Sequence, residues 1–222
     1  MASVSLKDKA YGHIKDKIIG CEYLPGQILV ESEIIEAVGA SRTPIREALN
    51  KLEQERLVRI VAKRGVFVSE ITVSTVCEVY DVRELVEPYL VEKYGPVAPQ
   101  EKIDRLYFDF ETLQTQEMTS TNQFYAFDND LHHLFAAYAN NSYLQIMMEQ
   151  IYAQNNRIRI LAGRASRRRI QESQEEHKLI LDALRQKDYA GGALAMKKHL
   201  QIARDAALDA ITKKNNVFFG VE

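Results

Sequence analysis

Apolar residues recur at helical spacing through 10–19, where Tyr11, Ile14 and Ile18 share one face and Gly20 is placed to end the helix. Leu24-Pro25-Gly26-Gln27 has the composition of a turn. A short helix is predicted over 31–38, with Ile34, Ile35 and Val38 inward and Gly39 as its stop. Ser41 or Thr43 can cap the next helix, and Pro44 is tolerated in a first turn because the N–H it lacks has no partner there. Ile45, Ala48, Leu49 and Leu52 give that helix its stripe, so two helices joined by a tight glycine turn have helix-turn-helix spacing. The pattern then changes period. Residues 57–61 and 66–68 are short and β-branched, and they flank Lys63-Arg64-Gly65, which predicts a β-hairpin with a basic tip.

After 72 every segment reads as helix, over 73–94, 99–116, 120–139, 142–162, 166–186 and 188–213. The expected fold is mainly α. A winged helix-turn-helix of three helices plus a hairpin wing occupies 1–72, an all-helical bundle of about six helices occupies 73–214, and 215–222 form a tail carrying Val217, Phe218 and Phe219.

Composition changes this picture little. Hydrophobic residues make up 46% of the 222, and no run reaches the roughly 18 apolar residues of a membrane span. Charges at the start of the chain argue against a signal peptide, and Cys21 and Cys77 have neither metal nor redox spacing, so a cytoplasmic protein is expected. Net charge is −2, but residues 42–64 hold seven Lys/Arg against three acids. A local basic surface of this kind suits phosphates even on a mildly acidic chain.

Ser41, Arg42, Thr43 and Arg46 cluster at the start of the second helix of the pair, with Lys63, Arg64 and Gly65 at the hairpin tip. Arginine pairs bidentately with guanine, while hydroxyls and helix N-termini suit phosphates. The run Gly39-Ala40-Ser41-Arg42-Thr43-Pro44-Ile45-Arg46-Glu47-Ala48-Leu49 resembles the G-V-S-R-x-P-V-R-E-A-L signature of the GntR family. The resemblance covers about 60 residues. It implies a sequence-specific regulator with DNA contacts at Ser41, Arg42, Thr43 and Arg46 and the wing glycine at Gly65, while the basic tip of Lys63 and Arg64 suits the DNA backbone or minor groove, and a helix-turn-helix protein is expected to bind a two-fold-symmetric double-stranded operator as a dimer. Some members carry arginine where this chain has Ser32. Glu47 reads as structural, since an acid near phosphates is costly unless paired.

In the second half, Asp128 and His132 are four apart on one helix face, and His177 and His199 fall in the last two helices. One carboxylate and three imidazoles suit a borderline divalent ion, although a helical histidine is more often structural. Asp128-x-x-x-His132, Glu176-His177-Lys178-x-Ile180-x-x-Ala183 and Met196-x-x-His199-Leu200 resemble the FCD ligand-binding domain of the FadR subfamily. That resemblance implies zinc, nickel or manganese held by Asp128, His132, His177 and His199. The segment around Arg83 resembles the domain's R-x-x-L-E opening, which implies an effector carboxylate paired with the Arg83 guanidinium; the alternative is an intrahelical Arg83–Glu87 surface pair. Asn156 and Arg159 are further candidates for the effector pocket. The six-helix count fits a VanR-like branch.

The reading is a DNA-binding regulator, a repressor, whose operator affinity responds to a small organic acid. Two alternatives stand beside it: the ion itself is the signal, or the metal site hydrolyses a substrate. Against hydrolysis, the sequence has no nucleophile motif, no evident general base and no phosphate loop, so the chain is expected not to be an enzyme.

Overall fold

The computed structural model describes residues 5–115, 121–163 and 167–218. The chain divides into two compact units, Met1–Val76 with Tyr152–Arg164, and Cys77–Ile151 with Ala165–Glu222.

The first unit opens with α1 (Leu6–Ile19), capped by the Ser5 hydroxyl, which accepts from the Asp8 N–H. α2 (Glu31–Val38) follows, and Gly39 ends it in the left-handed region at φ 71°, a conformation that a β-carbon would strain. α3 (Arg42–Gln54) comes next. Ala10, Ile14, Ile18, Ile34, Val38, Ile45, Leu49 and Leu52 meet in one core, each 2% exposed or less. Burying each large side chain of that set contributes about 1.5–3 kcal/mol.

The wing has one more strand than the hairpin predicted above. β1 (Ile28–Leu29) pairs antiparallel with β3 (Gly65–Val68), which also pairs with β2 (Val58–Val61), giving the order β1-β3-β2. Ile28 faces Phe67 and Leu29 faces Val66, so the segment leaving the Leu24–Gln27 turn is tied to the wing. At the tip Lys63 has φ 63° and Gly65 φ 106°, and Arg64 donates its N–H to the Val61 carbonyl at 3.0 Å.

The second unit is helical. α4 (Val73–Tyr94) is followed by a single 3₁₀ turn at Gly95–Val97, then α5 (Gln100–Thr115), α6 (Thr121–Tyr138), α7 (Ser142–Gly163), α8 (Arg167–Arg185) and α9 (Tyr189–Phe218). The break expected between the helices over 99–116 and 120–139 lies outside the described residues. α9 continues past 213 to Phe218, and 219–222 lie outside the described residues.

α7 is shared. Its residues from Tyr152 onward belong to the first unit. There Gln154 Nε2 donates to the Arg56 carbonyl at 3.2 Å, and the Cys21 thiol donates to the Arg157 carbonyl at 3.9 Å. Arg157 is fully buried, with one Nη donating to the Ser69 carbonyl and the other to Gln154 Oε1. Burial lowers its guanidinium to about 10. Cys21 and Cys77 are half-buried and unbridged. Among the described residues, no helix is long and apolar enough to cross a membrane.

Candidate functional site

The stripe that buries Ile45, Ala48, Leu49 and Leu52 forces Arg42, Thr43, Arg46, Glu47 and Asn50 to the opposite side of α3, where all are exposed. Ser41 stands at the N-cap position with extended backbone, but its hydroxyl makes no capping hydrogen bond. The first N–H groups of α3 therefore lack the side-chain acceptor that a serine there usually supplies. Arg46 Nε lies 3.5 Å from Glu31 Oε2, a pair in which Arg46 is 66% exposed. Glu47 is engaged by Lys7 at 3.5 Å, which gives this acid a structural partner. Lys63, Arg64 and Gly65 are exposed at the wing tip.

In the second unit, α6, α8 and α9 bring Asp128, His132, His177 and His199 together. One ligand atom of each lies within 4.8 Å of those of the others, and all four residues are buried. The imidazoles crowd one another, with ring centroids 4.5 Å apart for His177–His199, 5.2 Å for His132–His199 and 5.9 Å for His132–His177. Burial lowers the pKa of His177, and it lowers that of His199 with a further contribution from the neighbouring His177 charge. Both rings are therefore neutral at pH 7, the form that binds metals. His133 is exposed and outside the cluster.

The donor set fits a divalent ion on a further ground. His177 is fully buried, yet among the described residues neither ring nitrogen makes a hydrogen bond of normal geometry. Its Nε2 sits 3.3 Å from Asp128 Oδ1, and the ring is wedged between Phe124 and Phe127 at 5.9 and 5.7 Å. A buried polar ring held near a carboxylate in poor hydrogen-bond geometry is costly, and a cation between the two removes that cost.

Two carboxylates absent from the predicted ligand set lie behind this cluster. Glu87 Oε2 is 2.5 Å from His132 Nδ1, and Glu176 Oε2 is 2.7 Å from His199 Nδ1. Each carries an arginine. Arg83 Nε donates to Glu87 Oε1 at 2.5 Å, and Arg169 donates to both Glu176 oxygens at 2.8 and 3.0 Å. Burial alone would raise Glu87, but Arg83 and His132 outweigh it and hold the carboxyl at about 2. Glu176 behaves alike: hydrogen bonds from His199 and Arg169 overcome burial and hold it at about 2.

Arg83 thus forms the intrahelical pair with Glu87, buried rather than at the surface: both residues are 2% exposed. Asn156 and Arg159 belong to the first unit, where Arg159 Nη2 donates to Asn156 Oδ1 at 2.7 Å. Spacing signals for the missed groups existed, at i,i+4 from Arg83 to Glu87 and i,i+7 from Arg169 to Glu176. Nothing local pointed from either carboxylate to its histidine.

A winged helix-turn-helix with exposed arginines, followed by a helical unit, defines a transcriptional regulator. Residues 6–68 match the bacterial regulatory proteins of the gntR family, and residues 78–202 match the FCD domain. The chain belongs to the GntR family of regulators and carries an FCD domain. It is 24% identical over 180 residues to the HTH-type transcriptional regulator YdhC of Bacillus subtilis, covering 80% of each chain. It is also 24% identical over 219 residues to the HTH-type transcriptional repressor RspR of Escherichia coli, covering 98% of this chain and 95% of that one. Among solved structures, E. coli McbR/YncC superposes with TM-score 0.79 at 22% identity, covering 93% of this chain and 99% of that one, a likeness of fold.

Proposed function

We propose that this regulator is a homodimeric repressor whose operator affinity is set by a small organic acid bound at a divalent metal ion in the FCD domain. The observation that carries the reading is the buried Asp128, His132, His177 and His199 cluster, whose His177 nitrogens make no hydrogen bond of normal geometry among the described residues. Those four residues would hold zinc, nickel or manganese. When bound, such an ion offers a Lewis-acidic centre to an anion. The chain's part is to bury that centre, supply one negative charge at Asp128 and exclude water with Phe124 and Phe127. Arg83, Asn156 and Arg159 remain the candidate effector residues. Since Arg83 already serves Glu87, an effector carboxylate would share its guanidinium.

Ser41, Arg42, Thr43 and Arg46 are proposed to meet the operator in the major groove and Lys63, Arg64 and Gly65 at the backbone or minor groove; a dimer would contact two half-sites of a symmetric operator. Repression is supported by the resemblance to RspR, called a repressor. A cytoplasmic location and the VanR-like branch are part of the same reading. α4 begins at Val73, soon after β3 ends at Val68, so few residues separate wing from sensor helix along the chain. Effector coupling in such systems is about 1–3 kcal/mol.

The experiment is a carboxylate screen by thermal shift on metal-loaded protein, then operator titration with each hit. A hit that weakens operator binding roughly 5–150-fold is the expected result. Hits that bind the FCD domain yet leave operator affinity unchanged overturn it. A second reading, in which the ion alone is the signal, is favoured by the engagement of Arg83 with Glu87. It predicts that operator affinity follows metal occupancy with no acid present.

A further inference from the structure

We infer that Glu87 and Glu176 are positioning residues for the metal centre, each fixing the tautomer and aim of one imidazole, and each held in place by its own arginine. The inference rests on the metal reading above and adds to it which ring nitrogens face the ion and what turns them.

The geometry is specific. His132 and His199 both direct Nδ1 at a carboxylate oxygen, at 2.5 and 2.7 Å. An arginine guanidinium, which only donates, engages each carboxylate from the other side, so the carboxylate accepts in the histidine contact as well and the proton there belongs to the imidazole Nδ1. That leaves the Nε2 lone pair as the donor to a metal. On the opposite edge of the His132 ring, Nε2 lies 3.8 Å from Asp128 Oδ1, on the side where the ligand atoms converge. The two carboxylates come from different helices, Glu87 from α4 and Glu176 from α8, and reach histidines on α6 and α9. They are separated from those partners by 45 and 23 positions in sequence. The same three-part chain of arginine, glutamate and histidine is therefore built twice on independent elements.

The arginines complete the arrangement. Unpaired, Glu87 would be a buried negative charge; Arg83 neutralises it and fixes its rotamer through Nε at 2.5 Å and an Nη at 3.5 Å. Arg169 grips Glu176 with both Nη atoms. Among the described residues His177 has no such carboxylate behind it, and packing against Phe124 and Phe127 sets its plane instead. The site thus combines two imidazoles aimed by charge-assisted hydrogen bonds with one aimed by packing. Such carboxylate partners raise the basicity of a ligating ring, and losing one typically weakens metal affinity about 10–100-fold.

Zinc is the probe, and the full-length protein is titrated by chelator competition as wild type, Glu87→Gln and Glu176→Gln. Glutamine keeps the shape and can still accept from Nδ1–H, but it lacks the charge. Both variants should bind one zinc per chain about 10–100-fold more weakly than wild type. Glu176→Gln is the cleaner arm, because its position is less buried and its folding is checked by metal-free melting. Long-range proton–nitrogen NMR on zinc-loaded wild type gives a second readout that needs no variant. It should show His132 and His199 ligated through Nε2 with Nδ1 protonated. Ligation of either ring through Nδ1, or zinc affinities within twofold of wild type in both variants, overturns the inference while leaving the metal site standing. A wild-type protein that takes up no zinc, nickel or manganese overturns the metal reading itself.

Discussion

Glu87 on α4 and His132 on α6 lie 45 positions apart in sequence, yet their side chains meet at 2.5 Å inside the second unit. Arg83 approaches Glu87 from the other side, so three ionisable side chains form one buried chain. Arg83 therefore has a structural duty whatever it does for an effector. Arg83→Met should strand the Glu87 carboxylate in a dry site and destabilise the protein by about 3–5 kcal/mol. Chemical denaturation of the metal-free protein checks this. A variant as stable as wild type would show that Glu87 is not held by Arg83. Loss of effector response in an Arg83 variant is informative only beside that measurement.

Replacing His177 and His199 together with alanine should take metal content from one ion per chain to none, as read by elemental analysis. In wild type, a strong chelator should lower the melting temperature. An ion at 100 times its dissociation constant contributes about 2.7 kcal/mol of stability. Equal metal in the double variant would move the site elsewhere.

Arg46→Ala should cost about 1–3 kcal/mol at the cognate operator, provided Arg46 reads a base. Its partner Glu31 is on α2, and Arg46 itself is exposed, so melting should hardly change. Operator titration at fixed salt checks the first statement, and unchanged affinity removes Arg46 from the reading set.

Gly65→Ala places a β-carbon at φ 106°. No atom lies within 4 Å of it, so the cost is backbone strain alone, about 1–3 kcal/mol. The wing should loosen, with weaker operator binding and faster amide exchange at Val61 and Val66.

Local patterns in the sequence carried the helices and the α3 face, because amphipathic spacing and a glycine stop act within one turn of chain. The Asp128–His132 pair was visible for the same reason, being four apart on one helix. His177 and His199 were legible mainly through family resemblance, since nothing local distinguishes a ligating histidine from a structural one. β1 was missed because two residues, Ile28 and Leu29, are too few to show a period and are strand only by pairing with β3. Glu87 was read only as a surface partner for Arg83 and Glu176 only as part of a family motif, because each looks like an ordinary helical acid. Their significance lies in partners that only tertiary packing supplies. Arg157 was hidden likewise: its acceptor, Ser69 O, is 88 positions away.

Arg157→Met should leave the Ser69 carbonyl without its buried donor, at a cost of about 1–3 kcal/mol. Hydrogen exchange in 57–76 and in the second half of α7 should speed up. Unchanged protection in both segments would mean that the guanidinium contact does not hold them.

The sharing of α7 also has a consequence for the order in which the protein is made. The first unit is discontinuous along the chain, ending at Val76 and resuming at Tyr152. A ribosome adding about 5–20 residues per second needs several seconds to cross that interval. Until then the nascent DNA-binding head has its own core but not Gln154 or Arg157, and the carbonyls of Arg56 and Ser69 must be served by water. The operator-reading part of the molecule is thus the first to begin folding and among the last to finish.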